Sequence, residues 1–189
     1  EAFGQLRTDP ATRPFRHAFL AERQAGVIDG LDPGAKALVL SRAAVIGAGA
    51  MGQGIAIALA EAGLSVQIMD QSTEMTNRAI EAAVKVWERA VQRGRLSADA
   101  RDKLLSRLQP AHGYDDLAGA DIAIEAVSEN MRIKHAVFAE LDRVMTPGAI
   151  FATNTSALDV DAIANATSRA GNVVGLHFFN PANVMKLLE

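Results

Sequence analysis

The chain contains no cysteine, which excludes a disulfide framework, a thiolate nucleophile and a cysteine-ligated zinc site. It has no excess of basic residues. The net charge is -3 with both signs mixed, so it carries no electrostatic footprint for nucleic acid. No apolar run is long enough to span a bilayer, and the N-terminus lacks the basic-then-apolar pattern of a signal peptide. A cytoplasmic location is therefore expected, and the sequons at Asn154 and Asn165 are read as coincidental. There is no HExxH spacing among the histidines, and no P-loop lysine follows the glycines. What remains is 189 residues with 49% hydrophobic content, enough to bury a full core in about one domain of ordinary size.

The most informative stretch is Ala43-Ala44-Val45-Ile46-Gly47-Ala48-Gly49-Ala50-Met51-Gly52, an apolar run ending in glycines and opening into the helical pattern Ile55, Ala56, Leu59, Ala60. It predicts strand, tight turn and helix. In a dinucleotide-binding unit Gly47 permits the turn, Gly49 lets a pyrophosphate approach the backbone, and Gly52 lets the helix pack closely. The phosphates would meet free N–H groups at the positive end of the helix dipole. Leu64 to Asp70 reads as a second strand ending in an acid about twenty residues downstream, where such an acid holds a ribose 2′-hydroxyl. A carboxylate at Asp70 repels a 2′-phosphate, and neither Gln71 nor Ser72 is basic, so NAD is favoured over NADP.

The rest of the chain alternates helix and strand. Residues 1 to 40 read as a linker helix plus loop: Thr8-Asp9-Pro10 breaks the chain, Phe15, Ala18, Phe19 and Glu22 follow a helical period, and Ile28 to Lys36 is loop, with Pro33 in it. After the second strand Ser72 caps a helix through Ile80, Val84, Trp87 and Val91 that Gly94 ends, with Trp87 in the core. Ser97 starts another, which Pro110 closes. Asp121 to Val127 is a buried strand, Ile133 to Met145 a helical stripe, Ile150 to Thr153 a strand, Leu158 to Ala166 a short helix and Val173 to Phe178 a strand. This order predicts an α/β fold, a Rossmann-like doubly wound, mostly parallel sheet over residues 41 to 189. Ligands in such sheets lie at the carboxyl ends of the strands, which selects Asp70, Ser128, Glu129, Asn154, Ser156 and His177.

His177 closes a strand, and the one acid beyond it is Glu189, in what reads as the next strand, Val184 to Glu189. If those strands are neighbours, the carboxylate can bond one imidazole nitrogen, fix the tautomer and leave the other nitrogen for substrate. Beside a nicotinamide, such a histidine can take a hydroxyl proton as hydride leaves the same carbon. His17, His112 and His135 are expected at the surface.

Four motifs together resemble the NAD-binding domain of the L-3-hydroxyacyl-CoA dehydrogenases: Gly47 to Gly52, Glu125-Ala126-Val127-Ser128-Glu129-Asn130, Asn154-Thr155-Ser156-Ala157-Leu158, and His177-Phe178-Phe179-Asn180-Pro181-Ala182 through Met185-Lys186-Leu187-Leu188-Glu189. Arg16 to Arg23 is similar to the linker that joins an enoyl-CoA hydratase part to the dehydrogenase part in multifunctional fatty acid β-oxidation enzymes, of bacterial or peroxisomal type. The alanine- and arginine-rich makeup leans bacterial. The resemblance implies His177 as catalytic acid/base with Glu189 as its partner, and Ser156 bonding the substrate oxygen or the nicotinamide side, with Asn180 nearby. It implies that Met51, Asp70, Glu129 and Lys134 contact NAD. By its position alone Lys134 reads as a solvated helix lysine. The implied reaction is reversible oxidation of an L-3-hydroxyacyl-CoA to the 3-oxoacyl-CoA. The family continues past the position of Glu189 into an all-helical domain, so the sequence reads as a piece of a longer polypeptide, without that domain or the hydratase, able to bind NAD, nearly inactive alone and prone to self-association.

Two other readings stand beside this one. A different NAD-dependent hydroxyacid dehydrogenase would have been favoured by a lysine base in place of the His/Glu pair, and a non-catalytic nucleotide-binding protein is opposed by the intact His177, Ser156 and Glu189.

Overall fold

The computed structural model describes residues 4–5, 9–32 and 34–189. Thr8 and Pro33, read above as part of a break and of a loop, lie outside the described residues. The chain divides into two compact units, Glu1–Leu38 and Val39–Glu189. In the first, Asp9 accepts a hydrogen bond from the Ala11 amide and starts a 3-10 turn, Pro10–Thr12, that leads into α1 (Arg13–Gln24). Pro14 sits in the first turn of α1, where a missing N–H costs nothing. No residue of α1 is buried, and the Arg23 guanidinium lies 4.5 Å above the Phe19 ring.

The second unit begins with β1 (Arg42–Ile46), α2 (Ala50–Glu61), β2 (Ser65–Met69), α3 (Thr73–Gln92), α4 (Ala98–Arg107) and β3 (Leu108–Pro110). It continues with β4 (Ile122–Glu125), α5 (Met131–Val144), β5 (Ile150–Thr153), α6 (Val160–Ala164) and β6 (Val173–Gly175). The six strands run in the order β3-β2-β1-β4-β5-β6, every pair parallel. The order reverses between β1 and β4, and in sheets of this kind a ligand crevice opens at that point.

Side chains of a strand alternate between faces, so neighbouring β1 residues serve two separate cores. Ala43 and Val45 pack with Ile55, Ile68, Trp87 and Ile124, whereas Ala44 and Ile46 pack with Phe138, Leu141, Phe151 and Ile163. Helices cover both faces, and this is why the central strands read as unbroken apolar runs rather than alternating ones. Burying each large side chain of these clusters contributes about 1.5–3 kcal/mol before entropy is counted.

Three expectations need correction. The second helix of the pair ends at Arg107, not Pro110, because Leu108–Pro110 pairs with β2 as an edge strand, where a proline that cannot donate is tolerated. The last strand of the sheet stops at Gly175. Val184 to Glu189 is not a strand: the Val184 and Met185 amides turn back onto the Pro181 carbonyl, and only Phe178 and Leu188 form an isolated antiparallel bridge. Val184, Met185, Leu187 and Leu188 are exposed there.

Candidate cofactor cleft and catalytic pair

The glycine turn is held from both sides of the sheet. Gly47 adopts φ 103°, and a Cβ there would meet the Ala126 carbonyl oxygen at 2.5 Å. A Cβ on Gly52 would collide with the Gly47 carbonyl oxygen, so the first turn of α2 rests directly on the strand end. Gly49 differs: nothing lies within 4 Å of the position its Cβ would take, and that open space adjoins the start of α2. Among the described residues of this unit, α3, α4, α5 and α6 are capped by the side chains of Ser72, Ser97, Asn130 and Asp159, while α2 receives no side-chain cap. Its first N–H groups are therefore left for an external acceptor such as a phosphate.

Asp70 ends β2 and is tied into the same turn. Its Oδ2 accepts the Ala48 amide at 2.8 Å and its Oδ1 the Ser72 amide at 3.3 Å, so the acid is oriented by backbone on both sides. Together with Gly47, Gly49, Met75, Tyr114 and Val127 it lines a cavity of about 340 Å³. Burial, with the nearby carboxylates of Glu140 and Glu125, raises the Tyr114 phenol above its ordinary value, which keeps it a neutral donor at this wall. The residues present fit a dinucleotide: open backbone for the pyrophosphate, an oriented acid for the ribose and an apolar cavity for the base.

Ala126 and Val127 also line a second cavity, about 370 Å³, that holds Met51, Glu129, Asn154, Ser156, His177 and Asn180. The sequence-selected residues of the chemical half thus converge on one place. His177 and Glu189 exchange both backbone hydrogen bonds, at 2.8 and 3.1 Å, and this pairing brings the His177 Nδ1 to 3.2 Å from the Glu189 Oε2. The pair does not need a second strand to form; one bridge suffices. The His177 ring also packs 4.8 Å from that of Phe179, and the Asn154 side-chain oxygen accepts the Phe178 amide at 2.8 Å, anchoring the segment to the end of β5. With Nδ1 engaged by a carboxylate, Nε2 is the nitrogen left for a reacting group.

Beneath this cavity lies a charged network. Lys134, read from position as solvated, is 1% exposed, because α5 turns it inward toward β4. Its Nζ lies 2.7 and 2.9 Å from the two oxygens of Glu125, which is fully buried, and 3.2 Å from Glu129 Oε2. Glu125 further accepts the Thr153 hydroxyl at 2.7 Å and the Val127 amide at 2.8 Å. Glu129 accepts the Thr155 hydroxyl and, at 3.2 Å, the Ser156 amide. Partial burial pushes the Glu129 carboxyl up, but the hydrogen bonds from Thr155 and Lys134, the Lys134 charge and the Ser156 amide outweigh it and hold it below the usual carboxylate range.

Glu125 and Thr153 were missed as site residues. The available signal was the acid itself: Glu125 is the one charge inside the apolar run Ile122 to Val127. His135 also departs from expectation, being half-buried with Nε2 3.1 Å from the Ala162 carbonyl oxygen, a contact that ties α5 to α6. Among the described residues no cluster suited to a metal ion occurs, and no helix is long and apolar enough to cross a membrane.

Residues 42–189 match the family model described as 3-hydroxyacyl-CoA dehydrogenase, NAD binding domain. A 3-hydroxyadipyl-CoA dehydrogenase from Escherichia coli is 44% identical over 77% of this chain and 31% of its own length. A peroxisomal fatty acid beta-oxidation multifunctional protein from Oryza sativa is 35% identical over the whole chain and 26% of its own. A solved 3-hydroxybutyryl-CoA dehydrogenase from Escherichia coli superposes with a TM-score of 0.78 at 43% identity, covering 80% of this chain and 32% of that one. The chain thus spans about a quarter to a third of the length of these relatives. The six-stranded parallel sheet, the uncapped glycine turn and the match over residues 42–189 have one common outcome: this chain belongs to the NAD-binding domain family of the 3-hydroxyacyl-CoA dehydrogenases.

Proposed function

We propose that this chain is the NAD-binding half of an enzyme that reversibly oxidises an L-3-hydroxyacyl-CoA to the 3-oxoacyl-CoA, with His177 as its acid/base. The observation that carries the reading is the His177 Nδ1 to Glu189 Oε2 contact of 3.2 Å, in a cavity with Ser156 that shares Ala126 and Val127 with the glycine-turn cavity. Glu189 fixes the orientation of the ring, and His177 Nε2 takes the hydroxyl proton in one direction and returns it in the other. Ser156, with its amide tied to Glu129, holds its hydroxyl ready for the substrate oxygen, and Asn180 lies beside it in the same cavity. Bound NAD supplies the hydride acceptor. Asp70 holds the adenosine ribose and Gly47, Gly49 and the start of α2 hold the pyrophosphate, while Met51 and Glu129 face the nicotinamide half.

The aligned region is only part of each relative, so the reading assigns the rest of the acyl-CoA pocket to segments outside it, and the 189-residue chain alone is expected to bind NADH with little turnover. The test has two arms. Calorimetric titration should give saturable NADH binding, much weaker for NADPH and weakened by Asp70→Ala. In the dehydrogenase assembled with its remaining segments, His177→Ala should lower turnover by roughly 10² to 10⁴-fold and leave NADH affinity nearly unchanged. No binding of either nucleotide, or loss of NADH affinity in His177→Ala, refutes the assignment.

A further inference from the structure

Resting on that reading, the buried network has a consequence for which oxidation state of the cofactor binds. The Lys134 ammonium lies within 3.2 Å of both the Glu125 and the Glu129 carboxylates, two acids against one base. Glu129 opens into the His177 cavity, whereas Glu125 is fully buried and Lys134 is 1% exposed. Every partner of the two hidden groups is specified: Thr153 and the Val127 amide on Glu125, both carboxylates on Lys134. Neither hidden group can turn away, and neither reaches the cavity. His177 is the other titratable side chain lining the cavity, and its partner Glu189, outside that lining, is 60% exposed and more strongly screened.

We propose that the Glu125–Lys134–Glu129 network is an electrostatic selector that favours the oxidised, cationic nicotinamide over the neutral reduced ring, with Glu125 as the positioning residue that locks Lys134 beneath Glu129. The two cofactor forms differ by one unit of charge at the ring and little elsewhere. A fixed negative group behind that ring therefore discriminates between them, while a purely geometric wall does not. Lys134 plays two parts: it neutralises the buried Glu125, and it draws Glu129 into place without cancelling its charge completely. By linkage, whatever factor the network adds to the binding of the oxidised form also appears in the redox equilibrium of the bound couple.

The experiment titrates NAD⁺ and NADH separately into the protein and into two isosteric variants, Glu129→Gln and Glu125→Gln. Each removes one negative charge while keeping an oxygen able to accept the Ser156 or Val127 amide. The expected result is a rise in the dissociation constant for NAD⁺ about threefold to tenfold larger than the change seen for NADH, in both variants. Agreement between the two is the sharper part, because Glu125 does not touch the cavity. Should Glu125→Gln fail to fold, Glu129→Gln alone decides. An equal change in both cofactor forms, or no change in either, overturns the selector while leaving the cofactor reading intact. Absence of binding of both forms to the unsubstituted protein overturns the cofactor reading and the selector with it.

Discussion

The two halves of the cleft are built from different materials. On the β2 side, the proposed cofactor site is almost entirely backbone: three glycines, an uncapped helix start and one acid held by two amides. On the β4–β5 side it is side chains that support one another across the chain, with Glu125, Thr153, Lys134, Glu129 and Thr155 linked over separations of 5 to 28 residues. At Gly47 and Gly52 the backbone leaves no room for an added atom. In the side-chain half the constraint is charge: an unpaired charge there cannot be hydrated.

The largest effect is expected where the side-chain half is broken at its centre. Lys134→Met leaves Glu125 buried without its counter-ion and should cost about 3–5 kcal/mol of stability, read as a lowered urea midpoint. If Lys134→Met and Glu125→Leu are combined, much of that loss should return, since an apolar pair removes the orphaned charge. Gly52→Ala attacks the backbone half. The added methyl must push α2 off the Gly47 carbonyl, costing about 1–3 kcal/mol, with NADH affinity falling alongside stability because the glycine turn proposed to hold the pyrophosphate moves with the helix. A variant that lost stability but bound NADH normally would show that the turn and the helix start are separable.

Acid supplies the smallest and most selective probe. Glu129 and Asp121 both have depressed carboxyl values in the folded protein, Asp121 through the Ser41 and Arg42 amides. A group with a folded value below its unfolded one stabilises above the unfolded value and loses that contribution as pH falls through the folded value. Melting temperature should therefore decline below about pH 4, and Glu129→Gln should make that decline shallower. Glu129 is 42% exposed, so solvent screening keeps the difference small. An unchanged slope would place the acid sensitivity elsewhere, at Asp121 or at Asp142, which the Ser168 amide and Arg169 hold low against partial burial.

The backbone half was legible because its signals are local. Gly47, Gly49 and Gly52 lie within six consecutive residues and act through their own backbone, and Asp70 ends the strand that follows them. His177 was legible as the histidine after the apolar run Val173 to Leu176, although β6 itself stops at Gly175, and its pairing with Glu189 formed without the strand expected around Glu189, because two backbone hydrogen bonds align the side chains. β3 was not, since Leu108–Pro110 has no periodic signature and becomes a strand only because β2 offers an edge to pair with. Lys134 shows the limit most clearly. A lysine on an amphipathic helix is ordinarily solvated, and nothing adjacent to it in sequence says otherwise.

By itself, then, the sequence determined the doubly wound class, the glycine turn, the acid after β2 and the His/Glu pair. Those features depend on periodicity, on residues that allow unusual backbone, and on contacts between near neighbours. Only the tertiary structure decided the edge strand, the turn at Pro181 and the burial of Glu125 with Lys134. Whether a charge is hydrated or paired depends on what other elements bring to within about 3 Å of it, and that is a property of packing rather than of local sequence.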